Sequence, residues 1–324
     1  MDGICTLGND YVYDQLVALL NSIEAILGPE TPVCVYPFDD RIERIADEIA
    51  KRPNVFIYDD RESIRRWDQF MLEASPASMN KRKYRIYGGH RRFCAFDGPF
   101  DKFVYMDADT LVMNSLDSVF TKLDEYNCVV YDFQFLYPDK VYNIKSPKLL
   151  QIFDSNRIKS EIFCSGFYGS KKGLFSKDNI DELLSKLKAG EAEILYPTGD
   201  QPVLNYMFMR SGIPIYNEAH HLPDSQKTGC CVTSDHFEEH ERILYDKGNR
   251  LTYLHYIGIP PNVTEAVCAG ENIEFPYRDL FLYYRYLHEP EKRPVFTAPP
   301  KQEHNPPPSL LKKALRKLKL IYQG

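Results

Sequence analysis

At 324 residues, 44% hydrophobic and 27% charged, the chain is long enough to bury one large core or two smaller ones, and its composition excludes an intrinsically disordered protein. A formal net charge of -6 argues against adhesion of the whole domain to nucleic acid, so any site for a polyanion must be local. No apolar run is long enough to span a bilayer, and the eight cysteines show no C-x-x-C spacing. These features lead to the expectation of a cytoplasmic protein whose thiols are reduced and sit in its core. Asn262-Val263-Thr264 fits a glycosylation acceptor, which in that compartment is a chance match.

Strand-like and helix-like segments alternate from the start, the signature of parallel strands joined by covering helices. Residues 4–7 read as a strand, and 15–27 carry apolar side chains at helical spacing. A strand at 32–36, a helix at 41–50 and a strand at 54–58 follow. Two further strands are predicted at 102–106 and 127–132. Beyond about residue 135 the alternation loosens, and aromatic, glycine and proline residues become denser. The fold class is therefore α/β, with a mostly parallel, mixed sheet flanked by helices. A soft boundary near 130 separates a nucleotide-binding half (1–130) from an acceptor-side half (131–292) that shares its sheet. Residues 293–309 are rich in proline and read as an extended linker, and 310–324 as a basic amphipathic helix.

The most informative stretch is Met106-Asp107-Ala108-Asp109-Thr110. Extended residues two apart point to the same side of the backbone, so a strand ending in Asp-x-Asp presents both carboxylates to one point. The apolar run before it delivers them to the carboxyl edge of the sheet, where open α/β sheets bind ligands. Hard oxygen ligands there suit Mg²⁺ or Mn²⁺ carrying a diphosphate. Asp59-Asp60 also follows a strand, but the two residues are adjacent and cannot share a face. His220-His221, Cys230-Cys231 and the pair His236 and His240 match no compact zinc module, and read as loop and surface residues.

Residues 103–112, Phe-Val-Tyr-Met-Asp-Ala-Asp-Thr-Leu-Val, closely resemble the "YLDADTLV" segment of family 8 glycosyltransferases, the group that includes glycogenin and the bacterial lipopolysaccharide galactosyltransferases. The resemblance runs in order from residue 4 to about 260 and implies the GT-A fold. It implies that Asp107 and Asp109 chelate Mn²⁺ (or Mg²⁺) bridging the phosphates of a UDP-sugar, with the Ala108 backbone near the ribose. Thr6, Asn9, Asp10 and Tyr11 resemble the loop that cradles the uracil. An ungapped match puts Val12 where the family stacks a tyrosine, so Tyr11 and Tyr13 compete, and Tyr11 is preferred. The same residues can also form a capped turn into the next helix. Arg91-Arg92 resembles the basic position ahead of the metal motif, with Arg92 expected to reach the donor rather than line a solvated face beside Lys81, Arg82, Lys83 and Arg85.

Phe163-Cys164-Ser165-Gly166 resembles the family's "FNSG" strand, with Cys164 in place of asparagine, and Thr198-Gly199-Asp200-Gln201 its "DQDxLN" element. The resemblance implies that Ser165 and Gly166 flank the donor, that Asp200 binds sugar hydroxyls and that Gln201 lies at the reacting face. Asp200 is also suited to cap a helix. Asp132, at the end of its predicted strand, is counted with the donor site. Residues 253–258 look like the "HxxGxxKPW" element, which makes His255 the third metal ligand and Gly258 a phosphate contact; Pro261 stands where the family has lysine, so either another cation such as Lys227 or Arg250 covers the diphosphate or the donor is bound differently. The expected activity is metal-dependent transfer of a hexose from a UDP-sugar, with retention, by stabilising the departing diphosphate. The acceptor is a saccharide, a lipid-linked sugar or a protein, with 310–322 lying on a membrane or packing on protein. The competing expectations are a sugar nucleotidyltransferase and an inactive nucleotide-sugar-binding relative.

Overall fold

The structure, a computed structural model, describes residues 1–75, 87–197, 199–301 and 304. The basic tail at 310–322, Thr198 and the group Lys81, Arg82, Lys83 and Arg85 lie outside the described residues.

The apolar runs of the first hundred residues become β1 (Asp2–Gly8), β2 (Val33–Pro37), β3 (Val55–Ile57) and β4 (Lys102–Asp107). They pair in parallel in the order β3-β2-β1-β4. Side chains alternate between two buried faces. Cys5, Leu7, Cys34, Tyr36, Phe103 and Tyr105 enter one core cluster, and Ile4, Val33, Val35, Val104 and Met106 the other. A sheet covered on both faces needs no polar face, and for that reason these strands read as continuous apolar segments.

The covering helices have the matching period. In α1 (Tyr13–Leu27), Leu16, Leu19, Leu20 and Ile23 face one cluster; in α3 (Arg61–Ala74), Trp67, Phe70, Met71 and Ala74 face the other. Each set follows the i, i+3, i+4, i+7 stripe of a helix packed on a sheet. Asp60 caps α3 by accepting from the backbone N–H of Glu62 and Ser63 at 2.9 and 3.1 Å, the physical use of an aspartate that has no partner across the sheet edge.

Beyond β4 the sheet turns mixed. β6 (Cys128–Val130), β7 (Phe167–Lys171) and β8 (Ile215–Asn217) complete a seven-stranded sheet in the order β3-β2-β1-β4-β7-β6-β8. β7 runs antiparallel to both β4 and β6, and β6 is parallel to β8. Strands from both sides of residue 130 thus share one sheet. The segment Phe163–Gly166, expected as a strand, is instead a loop leading into β7. Its backbone is held by side chains: Asn205 accepts from the Phe163 N–H and Asp132 from the Cys164 N–H, each at 3.0 Å.

Two smaller sheets complete the described fold. β5 (Thr110–Val112) pairs antiparallel with β12 (Tyr253–His255), and β9 (Glu238–His240), β10 (Ile243–Asp246) and β11 (Asn249–Arg250) form a meander. His240 is therefore a strand residue, while His220 and His221 end a short helix, Glu218–His221; none is in a loop. A third core cluster joins these elements to the helix Arg278–Arg285, which packs on α1. Asn21 donates to the Tyr284 carbonyl at 2.7 Å, and Arg285 pairs with buried Asp14 at 2.6 Å. The described part of the proline-rich segment, 293–301, is irregular apart from an isolated bridge between Ile273 and Lys301, and the Lys301 N–H donates to the Asn272 carbonyl at 2.7 Å. No helix among the described residues is long and apolar enough to cross a membrane.

Candidate active site

β4 ends on Asp107, so Asp109 is not in the strand. Ala108 and Asp109 form a tight turn between β4 and β5, closed by the Thr110 hydroxyl donating to the Asp107 carbonyl at 2.7 Å. The turn, and not the strand repeat, brings the two carboxylates together. β12 supplies the third group. Its antiparallel register sets His255 opposite Thr110, and the Tyr256 N–H donates to the Asp109 carbonyl at 2.8 Å. Ligand atoms of Asp107, Asp109 and His255 lie within 4.8 Å of one another, the one group of this kind among the described residues.

Two carboxylates and an imidazole form a donor set suited to Mn²⁺ or Mg²⁺. The backbone is shaped to the same point. A Cβ on Gly166 would stand 2.7 Å from His255 Cε1 and 3.0 Å from Asp107 Oδ2, so only glycine leaves these side chains free to converge. His255 Nε2 stands 3.3 Å from Asp109 Oδ1. Burial works against a charged imidazole there, but the Asp109 carboxylate outweighs it and pushes the histidine pKa well above the usual range. Burial raises the Asp107 carboxyl in spite of Arg92. For Asp109 burial also acts upward, and His255 reverses it to a net lowering. A cation bound by this set must displace the proton on His255.

Arg92 is the hub. It sits in a 3-10 helix, Gly89–Phe96, and is only 6% exposed, which replaces the solvated-face alternative with a buried guanidinium. Its nitrogens reach Asp200 Oδ2 at 2.6 Å, Asp107 Oδ1 at 3.1 Å and the Ser165 carbonyl at 2.6 Å. Its guanidinium lies 4.8 Å from the centre of the Tyr105 ring, whose hydroxyl donates to Asp107 at 2.9 Å. Neighbouring Arg91 faces elsewhere and pairs with Asp68 at 2.9 Å. Asp200 occupies the cap position of the helix Gln201–Arg210, yet its side chain makes no cap hydrogen bond. The carboxylate is directed at Arg92 and at the Tyr87 hydroxyl, which donates to Oδ1 at 2.6 Å.

Asp107, Asp109, Arg92, Asp200 and Tyr87 line a cleft of about 240 Å³ with Asn9, Val12, Gln15, Ala108, Ile259 and Pro261, whereas His255 and Gly166 are outside its lining. Several expected members lie outside that lining. Thr6 is fully buried within β1. The Asp10 carboxylate accepts from the Ile45 N–H of α2 (Glu43–Ile49) at 3.1 Å. Asn9 caps the next turn, accepting from the Tyr11 N–H at 3.1 Å, so the capped-turn reading of this loop holds for its side chain. Tyr11 is 39% exposed, whereas Tyr13 is engaged with Glu48 and lies under Arg44, 4.1 Å from its ring centre; of the two, Tyr11 is the available ring. Val12, the ungapped match, is in the cleft.

Gln201 Oε1 accepts from the Ser165 N–H and hydroxyl at 3.1 and 3.4 Å. Both Asp132 oxygens accept backbone N–H groups, from Gln134 at 2.6 Å and Cys164 at 3.0 Å, and burial pushes its pKa up to about 7. Gly258 adopts a left-handed φ of 83°, a conformation that favours glycine. Lys227 and Arg250, expected as cover for the diphosphate, do not line the cleft: Lys227 pairs with Asp224 at 2.8 Å, and Arg250 donates to the Met113 carbonyl. Arg92 is the one arginine or lysine in the described lining. Sequence reasoning assigned no role to Tyr87, Tyr105 or Gln15; Tyr105 lies within the matched segment 103–112, whereas Tyr87 and Gln15 carry no motif signal.

The family model described as Glycosyl transferase family 8 matches residues 15–260. No curated protein matches the chain significantly. Among solved structures, the galactosyltransferase LgtC in complex with donor and acceptor sugar analogues is similar, with a TM-score of 0.50 at 19% identity, over 80% of this chain and 87% of that one. The bifunctional glycosyltransferase WbbM in its apo form gives 0.50 at 16% identity, over 90% of this chain and 51% of that one. Apo mouse xyloside xylosyltransferase 1 gives 0.48 at 12% identity, over 67% and 85%. The two likenesses at a TM-score of 0.50 concern the fold, which is GT-A.

Proposed function

Because the chain belongs to glycosyltransferase family 8, and so is a glycosyltransferase, we propose that it moves a hexose from a UDP-sugar to an acceptor with retention of configuration and with the aid of Mn²⁺ or Mg²⁺. The observation that carries this reading is the convergence of Asp107, Asp109 and His255 beside Arg92 at the carboxyl end of β4. A divalent cation held by those three groups would balance the charge that builds on the diphosphate as the sugar leaves.

The remaining work falls to the chain's own residues. Arg92 pairs with both Asp107 and Asp200, so the carboxylates are in place before the donor arrives. Asp200 grips sugar hydroxyls, and Gln201, steadied by Ser165, lies at the reacting face. Asn9 and Tyr11 take the base, Ala108 the ribose, and Gly166, Gly258 and Asp132 complete the donor site. With Pro261 in place of a lysine, that side of the cleft is lined by Ile259 and Pro261 and carries no cationic side chain among the described residues. The acceptor is a saccharide, lipid-linked sugar or protein. The reading puts the enzyme in a reducing compartment such as the cytoplasm, supported by eight cysteines that are all free thiols. The sequence 310–322, basic and amphipathic, supports attachment to the inner face of a membrane.

The test is turnover of UDP-glucose, UDP-galactose and UDP-N-acetylglucosamine with Mn²⁺, with Mg²⁺ and with chelator. Release of UDP from one donor only when a divalent cation is present is expected. If no donor is turned over while UDP still binds, the protein is a nucleotide-sugar-binding relative; if nucleoside triphosphate and sugar phosphate are consumed instead, it is a nucleotidyltransferase.

A further inference from the structure

We propose that Tyr87 is a donor-positioning residue: its hydroxyl, with Arg92, holds the Asp200 carboxylate in the orientation that receives the sugar of the donor. The inference rests on the reading of Asp200 as the sugar-binding carboxylate.

Asp200 is 6% exposed and is gripped from two directions. Tyr87 donates to Oδ1 at 2.6 Å and Arg92 Nε stands 2.6 Å from Oδ2. The Tyr87 hydrogen bond to an ionised carboxylate at that separation is among the stronger kinds. On the other oxygen, Oδ2, which accepts no hydrogen bond among the described residues, the Arg92 guanidinium acts by charge, its Nε–H being directed to the Gly89 carbonyl at 3.0 Å. Tyr87 thus supplies the directional contact and Arg92 the electrostatic one. The second anchor matters because Arg92 is shared: it also pairs with Asp107 and donates to the Ser165 carbonyl. Arg92 alone leaves Asp200 free to turn about one contact.

The surroundings keep Tyr87 in its role. Its ring meets Phe38 edge-on, with centroids 6.2 Å apart and planes at 82°. Burial, followed by the Asp200 charge, pushes its pKa well above the usual tyrosine range, so the hydroxyl stays protonated and donating. Space is matched as well. A Cβ on Gly89 would stand 2.7 Å from the Tyr87 hydroxyl and 3.0 Å from Asp200 Oδ1, so the glycine admits the pair. Each Asp200 oxygen has a further lone pair, which leaves room for a sugar hydroxyl beside each anchor.

The role predicts a loss confined to the sugar. UDP has no hexose, so its affinity does not depend on Asp200, whereas the affinity of the UDP-sugar does. The experiment measures binding of UDP and of the turned-over UDP-sugar to wild type, Tyr87→Phe, Asp200→Asn and the double variant by calorimetry with Mn²⁺ present. Tyr87→Phe is expected to leave UDP affinity within about twofold and to weaken the UDP-sugar about tenfold. In the Asp200→Asn background the same change is expected to add less than about twofold, because the tyrosine acts through that carboxylate. Equal losses for UDP and UDP-sugar, or a full tenfold loss in the Asp200→Asn background, overturn the proposal. Failure of wild type to bind UDP at all would instead sink the donor reading itself, so the two failures are separable.

Discussion

Replacing Arg92 with methionine removes the charge while keeping an apolar stem of similar length. The guanidinium is 6% exposed and reaches Asp107, Asp200, and the carbonyls of Ser165 and Gly89. Its loss leaves buried Asp200, and half-buried Asp107 beside Asp109, without their cation. Breaking a buried pair from one side costs about 3–5 kcal/mol. The Tyr105 hydroxyl still donates to Asp107 and the Tyr87 hydroxyl to Asp200, which argues for the lower end, about 3 kcal/mol. At roughly 2–4 °C per kcal/mol for a chain of this size, the melting temperature falls by roughly 6–12 °C. Scanning fluorimetry and urea unfolding in the absence of divalent cations measure this directly. Adding Mn²⁺ supplies positive charge to the same carboxylates, so the deficit should narrow in its presence. A variant within about 1 kcal/mol of wild type would refute the assignment of Arg92 as the electrostatic hub.

Asp107→Asn removes a metal ligand: where Mn²⁺ at about 100 times its Kd stabilises wild type by about 2.7 kcal/mol, fluorimetry should find most of that shift gone, and an undiminished shift would place the cation elsewhere. Gly166→Ala puts a methyl 2.7 Å from His255 Cε1; Mn²⁺ affinity by calorimetry should fall about 10–100-fold with the fold intact, and unchanged affinity would contradict the packing. Asp132, with its pKa pushed up to about 7, makes the folded state hold an extra proton between about pH 4 and 7. The stability linked to that proton, at most roughly 4 kcal/mol, is full below about pH 4 and is lost as the pH rises through 7. Urea titrations at about pH 5 and pH 8 should therefore favour Asp132→Asn over wild type more at the higher pH, and a difference constant with pH would exclude this carboxyl as the titrating group.

The sequence alone determined the parallel half of the sheet, because each strand is buried on both faces and each helix on one, and burial writes its period directly into the residues. β1, β2, β4 and α1 lie within a few residues of the predicted bounds for strands 4–7, 32–36 and 102–106 and helix 15–27, whereas α3, not among the predicted elements, follows the same rule. It also determined that Asp107 and Asp109 would sit at a sheet edge. The tertiary structure decided how they meet. A turn after β4, not the strand repeat, aims Asp109, and the register of β5 against β12 sets His255 opposite Thr110 across 145 residues of chain. The same holds for the neighbours of Arg92. Asp200 caps its helix by position only, and its side chain turns to Arg92 and Tyr87 because a buried guanidinium needs carboxylates more than a helix end needs a cap. Local pattern records which side chains must leave water; which charges then face one another depends on distant segments meeting, and no single segment carries that information.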